Sequence, residues 1–105
     1  MIYLKQHDTA RYIEQTLLLG SAPINLTGCT VQLVFRRLPA GDVFIRTAEV
    51  VAPASAGIVR YLPVAEDVSV PGEYDLEWVI AYPDGSRISI PTRRPVRMTI
   101  QAALA

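Results

Sequence analysis

Apolar and polar positions alternate with a period of two along much of the chain. Val31, Leu33 and Phe35 fall on one face of a run whose other face carries Gln32 and Arg36, the pattern of a half-buried β-strand. The clearest case comes later, where Tyr74, Leu76, Trp78, Ile80 and Tyr82 share one face. Asp75 and Glu77, then the milder Val79 and Ala81, occupy the other. Eight prolines and six glycines punctuate such runs. They cluster at Gly20 to Pro23, Thr27-Gly28, Pro39 to Gly41, Pro53 to Gly57, Pro71-Gly72 and Pro83 to Gly85, with Pro91 and Pro95 beyond. Breakers spaced roughly 8–15 residues apart are the signature of an all-β sandwich or barrel. The pattern predicts strands at about 11–19, 30–38, 43–51, 58–64, 73–82 and 86–100.

Thr9 to Gly20 admits two readings. Thr9 can cap a helix and Gly20 can stop one, yet Ile13, Leu17 and Leu19 also alternate and nothing else in the chain reads as helical. A strand is the expectation. The hairpin around Tyr82-Pro83-Asp84-Gly85-Ser86 can be argued to its register. A two-residue Asp-Gly loop would set Ile80 opposite Ser89 and Trp78 opposite Pro91, mixing apolar with polar across the pair. A three-residue loop, with Pro83 and Asp84 in a type I turn and Gly85 left-handed, sets Ile80 opposite Ile88 and Trp78 opposite Ile90. The longer loop is therefore expected, and continuing its register puts Asp75 opposite Arg93. The predicted core is Val31, Leu33, Phe35, Tyr74, Leu76, Trp78, Ile80, Ile88 and Ile90.

The 105 residues suffice for a single domain, 1–105, with 1–8 as an N-terminal arm or edge strand and 101–105 as a C-terminal tail. Half of the residues are apolar and 19% are charged, a globular composition. Ten basic residues balance ten acidic ones, which argues against a nucleic-acid binder. Lys5, His7, Asp8 and Arg11 arrive too early for the apolar region of a signal peptide. The longest charge-free stretch, Gln15 to Phe35, is broken by glycine, proline and polar residues, so no membrane span is expected.

Charge is segregated even though it sums to zero. Tyr61 to Ser86 holds six acids and no base, and Arg87 onward holds four arginines and no acid. Adjacent strands would bring these blocks together as cross-strand pairs; a basic docking face is the other reading.

The inventory for catalysis is thin. His7 is the one histidine and Cys29 the one cysteine, so every Ser–His, Cys–His or histidine-rich metal template would need the same imidazole near the N-terminus. Glu66-Asp67 reads as a turn, and Asp75 and Glu77 as the solvated face of a strand. Cys29 reads as a small apolar residue at a strand start. The cluster Arg93-Arg94-Pro95-Val96-Arg97 is too short and broken for a nucleic-acid arm. Gly72-Glu73-Tyr74 has the spacing of a tyrosine corner, in which a Tyr hydroxyl bonds back to upstream backbone. No catalytic residue, cofactor, metal or small-molecule substrate is expected.

Several segments occur in a telling order: Lys5 to Thr9 (KQHDT), Ile24 to Val31 (INLTGCTV), Gly57 to Tyr61 (GIVRY), and Asp67 followed by Pro71-Gly72-Glu73-Tyr74. Glu77-Trp78, Tyr82-Pro83-Asp84-Gly85 and Pro91 complete the set. Together they resemble the small immunoglobulin-like domain at the N-terminus of bacteriophage baseplate upper proteins, which also occurs as stand-alone phage tail proteins. The resemblance implies an immunoglobulin-like antiparallel β-sandwich of about seven strands. It further implies a non-enzymatic virion component, made in the bacterial host cytoplasm, that binds other virion proteins in a symmetric multi-copy assembly. A tail or baseplate position is favoured over a neck or capsid-surface one. A carbohydrate- or host-surface-binding module is the alternative from another class, though Trp78, Tyr74, Phe35 and Tyr61 are all expected to face inward.

Candidate interface residues come from the two ends of the chain. Met1, Ile2, Tyr3 and Leu4 are apolar yet lie outside the strongest strand pattern. Pro91 and Pro95 would leave missing N–H groups on one side of the last strand, predicting a sheet edge there. Arg93, Arg94 and Arg97 project from that stretch, and arginine is enriched at interfaces.

Overall fold

The computed structural model describes residues 2–39, 41–91 and 96–104. The chain is all-β, a sandwich of two main sheets around one core. Its strands are β1 (Ile2–Lys5), β2 (Ile13–Thr16), β3 (Leu18–Leu19), β4 (Ala22–Pro23), β5 (Thr30–Arg37) and β6 (Val43–Thr47). They continue with β7 (Glu49–Val50), β8 (Ile58–Tyr61), β9 (Gly72–Ala81), β10 (Arg87–Ile90) and β11 (Val96–Gln101). The large sheet runs β1-β11-β9-β5-β6, with β10 also paired to β9. Facing it are β2-β8-β7 and the small β3–β4 pair.

The most regular alternation in the sequence forms the centre of the large sheet. β9 pairs with β5 from Thr30↔Ala81 to Arg37↔Tyr74. Tyr74, Leu76, Trp78 and Ile80 of β9 are buried together with Val31, Leu33 and Phe35 of β5. Ile90 is buried as well, and Ile88 packs against the cluster from a half-buried position. The opposite sheet contributes Ile13 and Val59, with Leu17, Ile24 and Leu26 from the adjoining segments. Trp78 crosses the interior: its indole N–H donates to Gln15 Oε1 of β2 at 2.8 Å, giving the buried ring the partner it needs.

The Tyr82–Ser86 hairpin closes as its residues dictate. Tyr82 N–H donates to Ser86 O at 2.8 Å, Gly85 N–H donates to Tyr82 O at 3.0 Å, and Gly85 takes φ 91°. Asp84 Oδ1 accepts from both the Ser86 N–H and hydroxyl. Ile80 pairs with Ile88 and Trp78 with Ile90. The tyrosine corner is present: Tyr74 Oη donates to Val70 O at 2.7 Å.

Six expectations are corrected. The stretch 86–100 is two strands, because β10 ends at Ile90 and β11 begins at Val96. The intervening residues displace the register by four, so Asp75 pairs with Arg97 and not with Arg93; Arg93 itself lies outside the described residues. The stretch 43–51 divides at Ala48, where the chain leaves the large sheet as β6 and joins the second as β7. The sandwich is not wholly antiparallel, since β1 runs parallel to β11 with Leu4 opposite Ile100. That parallel pairing also removes β11 from the sheet edge. Finally, Leu4 is no surface residue: at 3% exposure it belongs to the core.

Gly57 shows why a breaker sits where it does. It is buried with φ 71°, and a Cβ there would meet Leu17 O at 2.9 Å and Ile24 O at 3.0 Å. Leu17 N–H donates to Gly57 O at 2.7 Å and Ile24 N–H donates to Leu17 O at 2.9 Å, so the backbone beside β2 closes over Gly57 and leaves no room for a side chain.

Candidate docking surfaces

Polar chemistry inside the fold concentrates at one carboxylate. Asp67 sits in a 3-10 turn, Ala65–Val68, yet is only 3% exposed. Its Oδ1 accepts from Arg46 Nε at 2.9 Å and Nη2 at 2.8 Å. Its Oδ2 accepts from the Tyr61 hydroxyl and from Val64 N–H at 3.0 Å. Arg46 reaches it because β6 alternates with Val43, Ile45 and Thr47 exposed while Phe44 and Arg46 turn inward. The guanidinium also lies 3.5 Å from Glu66 and 5.4 Å from the Phe44 ring centroid. Burial, then the hydrogen bond to Asp67, push the Tyr61 phenol up to about 12. The bond to Asp67 holds the Arg46 guanidinium above its ordinary value. All the acceptor capacity of this carboxylate is directed at its own scaffold, so the cluster ties β6 and β8 to the turn as a structural pin.

The sequence reads Glu66-Asp67 as a turn, which these residues do form, but that reading does not reveal the buried role of Asp67. A signal was present: Arg46 falls in phase with the inward Phe44, which requires a buried or edge-bound partner for the charge. Among the described residues no group of three or more His, Cys, Asp or Glu side chains is placed to hold a metal ion.

The candidate interface residues separate into two kinds. Leu4 faces the core and Ile2 is half-buried against it, whereas Tyr3 is 57% exposed on the outer face of the large sheet. Arg97 is on the same face of the neighbouring strand, where Nε lies 3.4 Å from Asp75 and Nη1 lies 3.9 Å from Glu73. Arg36 approaches Asp75 from the other side at 3.8 Å. The segregated charges thus meet as cross-strand pairs in the part that is described. Met1, Arg93 and Arg94 lie outside the described residues.

The outer face of the large sheet continues to β6, where Val43 and Ile45 are each 57% exposed beside the half-buried Val34. A shallow depression lined by Val34, Arg36, Val43, Asp75 and Glu77 lies among them. A second apolar group, Leu18 and Leu19 on β3, borders Gln15, Ile90 and Pro91. Exposed aromatics are few and dispersed: Tyr12 has the Arg60 guanidinium 4.4 Å from its ring centroid. What this arrangement can do chemically is present an open, mixed apolar and charged sheet face to another protein. No protein-family model matches the chain, and no curated protein matches it.

Proposed function

We propose that the chain is a non-enzymatic bacteriophage virion protein, a tail or baseplate component that docks onto other virion proteins in a symmetric multi-copy assembly. The observation that carries this reading is the structural role of the segments that resemble the baseplate-type immunoglobulin-like domain. Lys5 to Thr9 makes the turn that ends β1, with His7 N–H donating to Val68 O at 3.0 Å and Asp8 N–H to Lys5 O at 3.1 Å. Pro71 to Tyr74 sets the tyrosine corner, and Tyr82 to Gly85 sets the hairpin. These residues shape a scaffold and leave its outer faces to vary with the partner, as expected for a docking domain. The exposed Tyr3, Val43 and Ile45 lie on one such face and supply apolar contact.

A carbohydrate-binding role is less well supported. Phe35, Tyr74 and Trp78 are buried, and the Tyr12 ring is covered by Arg60, so little flat aromatic surface is left beside polar groups. Gold labelling of the chain in intact particles tests the reading. Label on the tail supports it, label on the neck or capsid moves the protein to a decoration role, and unlabelled particles overturn it.

A further inference from the structure

The large sheet has three strand edges, and they are treated differently. On β1, Gln6 N–H donates to Gln101 O, so the outward-pointing backbone groups alternate with it and include those of Lys5. The Lys5 groups are occupied by the Asp8 turn, which leaves Tyr3 as the one other described residue of that phase: Lys5 N–H donates to Asp8 Oδ2 at 3.3 Å and Asp8 N–H donates to Lys5 O at 3.1 Å. On β10, the Tyr82–Ser86 bond sets a phase in which Arg87, Ser89 and Pro91 point away from β9. A charge at one end and a missing N–H at the other blunt that edge.

β6 has neither device. Arg37 N–H donates to Asp42 O and Ala48 N–H to Val31 O, so residues in phase with 42 and 48, namely Phe44 and Arg46, turn their backbone toward β5. Val43, Ile45 and Thr47 turn theirs outward, and among the described residues those groups have no hydrogen-bond partner. All three are β-branched and uncharged, with their side chains exposed on the outer face. Such a strand is a ready template for pairing.

We infer that β6 is a self-association edge, at which a second copy of this chain adds its own β6 antiparallel about a two-fold axis through Ile45. Only in this register do all three outward residues find partners: Val43 opposite Thr47 of the second copy, Ile45 opposite Ile45, and Thr47 opposite Val43. Each pair then exchanges both N–H···O bonds, and β-branched side chains meet across the outer face. The inward residues agree, because Phe44 falls opposite Arg46 of the second copy, repeating the arginine–aromatic contact already made within one strand at 5.4 Å. No like charges face each other: Asp42 meets Ala48 and Arg46 meets Phe44. The formal net charge of +0 leaves no overall repulsion between copies. The exposed Val43 and Ile45 of both copies would join into one apolar strip on a sheet of doubled width. This association is independent of where the protein resides.

Sedimentation velocity of the purified chain from about 10 μM to about 1 mM tests it, with a monomer–dimer equilibrium in the micromolar range expected. Amide hydrogen exchange should show Val43, Ile45 and Thr47 gaining protection with concentration while Phe44 and Arg46 are protected throughout. Ile45→Lys and Ile45→Glu, each checked for folding by circular dichroism, should weaken dimerisation more than tenfold alone, and their equimolar mixture should restore it. A chain that stays monomeric at the highest concentration overturns the inference. So does a dimer whose Val43, Ile45 and Thr47 amides exchange freely, or a mixture that fails to recover. Protection of these amides gained only from a different protein would also refute self-pairing.

Discussion

Replacing Asp67 by Ala removes the carboxylate on which β6, β8 and the Ala65–Val68 turn converge, and its cost can be worked from the contacts. Breaking a buried ion pair by removing one partner costs about 3–5 kcal/mol. Here Asp67 is buried but Arg46 is partly exposed, with Glu66 3.5 Å away as a second partner, so the charge term falls at or below the low end of that range. The Tyr61 hydroxyl and the Val64 N–H also lose their acceptor, at about 1 kcal/mol each. The expected loss is about 3–4 kcal/mol, or roughly 10–25 °C in Tm for a domain of this size. Urea unfolding followed by tryptophan fluorescence reads it directly, since Trp78 is the only tryptophan and is fully buried. Tyr61→Phe should cost only about 1 kcal/mol, because a single hydrogen bond is lost. The phenol adds a pH signature. Its folded-state value of about 12 exceeds the ordinary 10.0, so its contribution is complete below about pH 10 and is lost as pH rises from 10 towards 12. Tyr61→Phe should flatten that alkaline loss. An Asp67→Ala variant within about 1 kcal/mol of the parent would refute the pin, since that is no more than a single exposed contact is worth.

Three further outcomes follow from packing and backbone geometry. Trp78→Ala should destabilise by about 3–5 kcal/mol in chemical denaturation; an unchanged midpoint would contradict the burial of its face of β9. Leu4→Ala should cost about 2–5 kcal/mol, whereas Tyr3→Ala, one residue away on the exposed face, should stay within about 0.5 kcal/mol. Equal costs would undo the placement of β1. Gly57→Ala should reduce Tm strongly because its Cβ meets backbone at 2.9 Å, while Gly85→Ala, with open space around it, should cost only about 1 kcal/mol of left-handed strain.

The parts of the fold that alternation dictates were legible in the sequence. β5, β9 and the β9–β10 hairpin are local: each residue's face follows from its neighbours, and the three-residue loop follows from matching apolar positions across the pair. What could not be read depended on distant parts of the chain. Nothing local says that Ile2 to Lys5 lies parallel to β11, and an apolar arm reads equally well as an interface or a core strand. The register break between Ile90 and Val96 was marked by Pro91 and Pro95, but prolines show that pairing is interrupted, not by how many residues it is displaced. Arg46 was visible as a charge on an inward phase, whereas its partner Asp67 is brought to it only by the turn after β8. Among the candidate interface residues, the sequence singled out Tyr3 and Arg97 without assigning their faces, and the pairing of β1 with β11 puts both on one outer face. The sequence could not separate Leu4 from Tyr3, since both are large and apolar and only the pairing of β1 distinguishes their faces.

The central claim is that this domain is a multi-copy structural part of a virion. Quantitative mass spectrometry of particles banded on a density gradient, from a lysate of cells producing this chain, tests it most directly. The account predicts a fixed copy number per particle, matching a symmetric ring or its multiple and persisting through high-salt washing. Recovery of the chain only in the particle-free fraction, from lysates whose particles are otherwise complete and infectious, would contradict it.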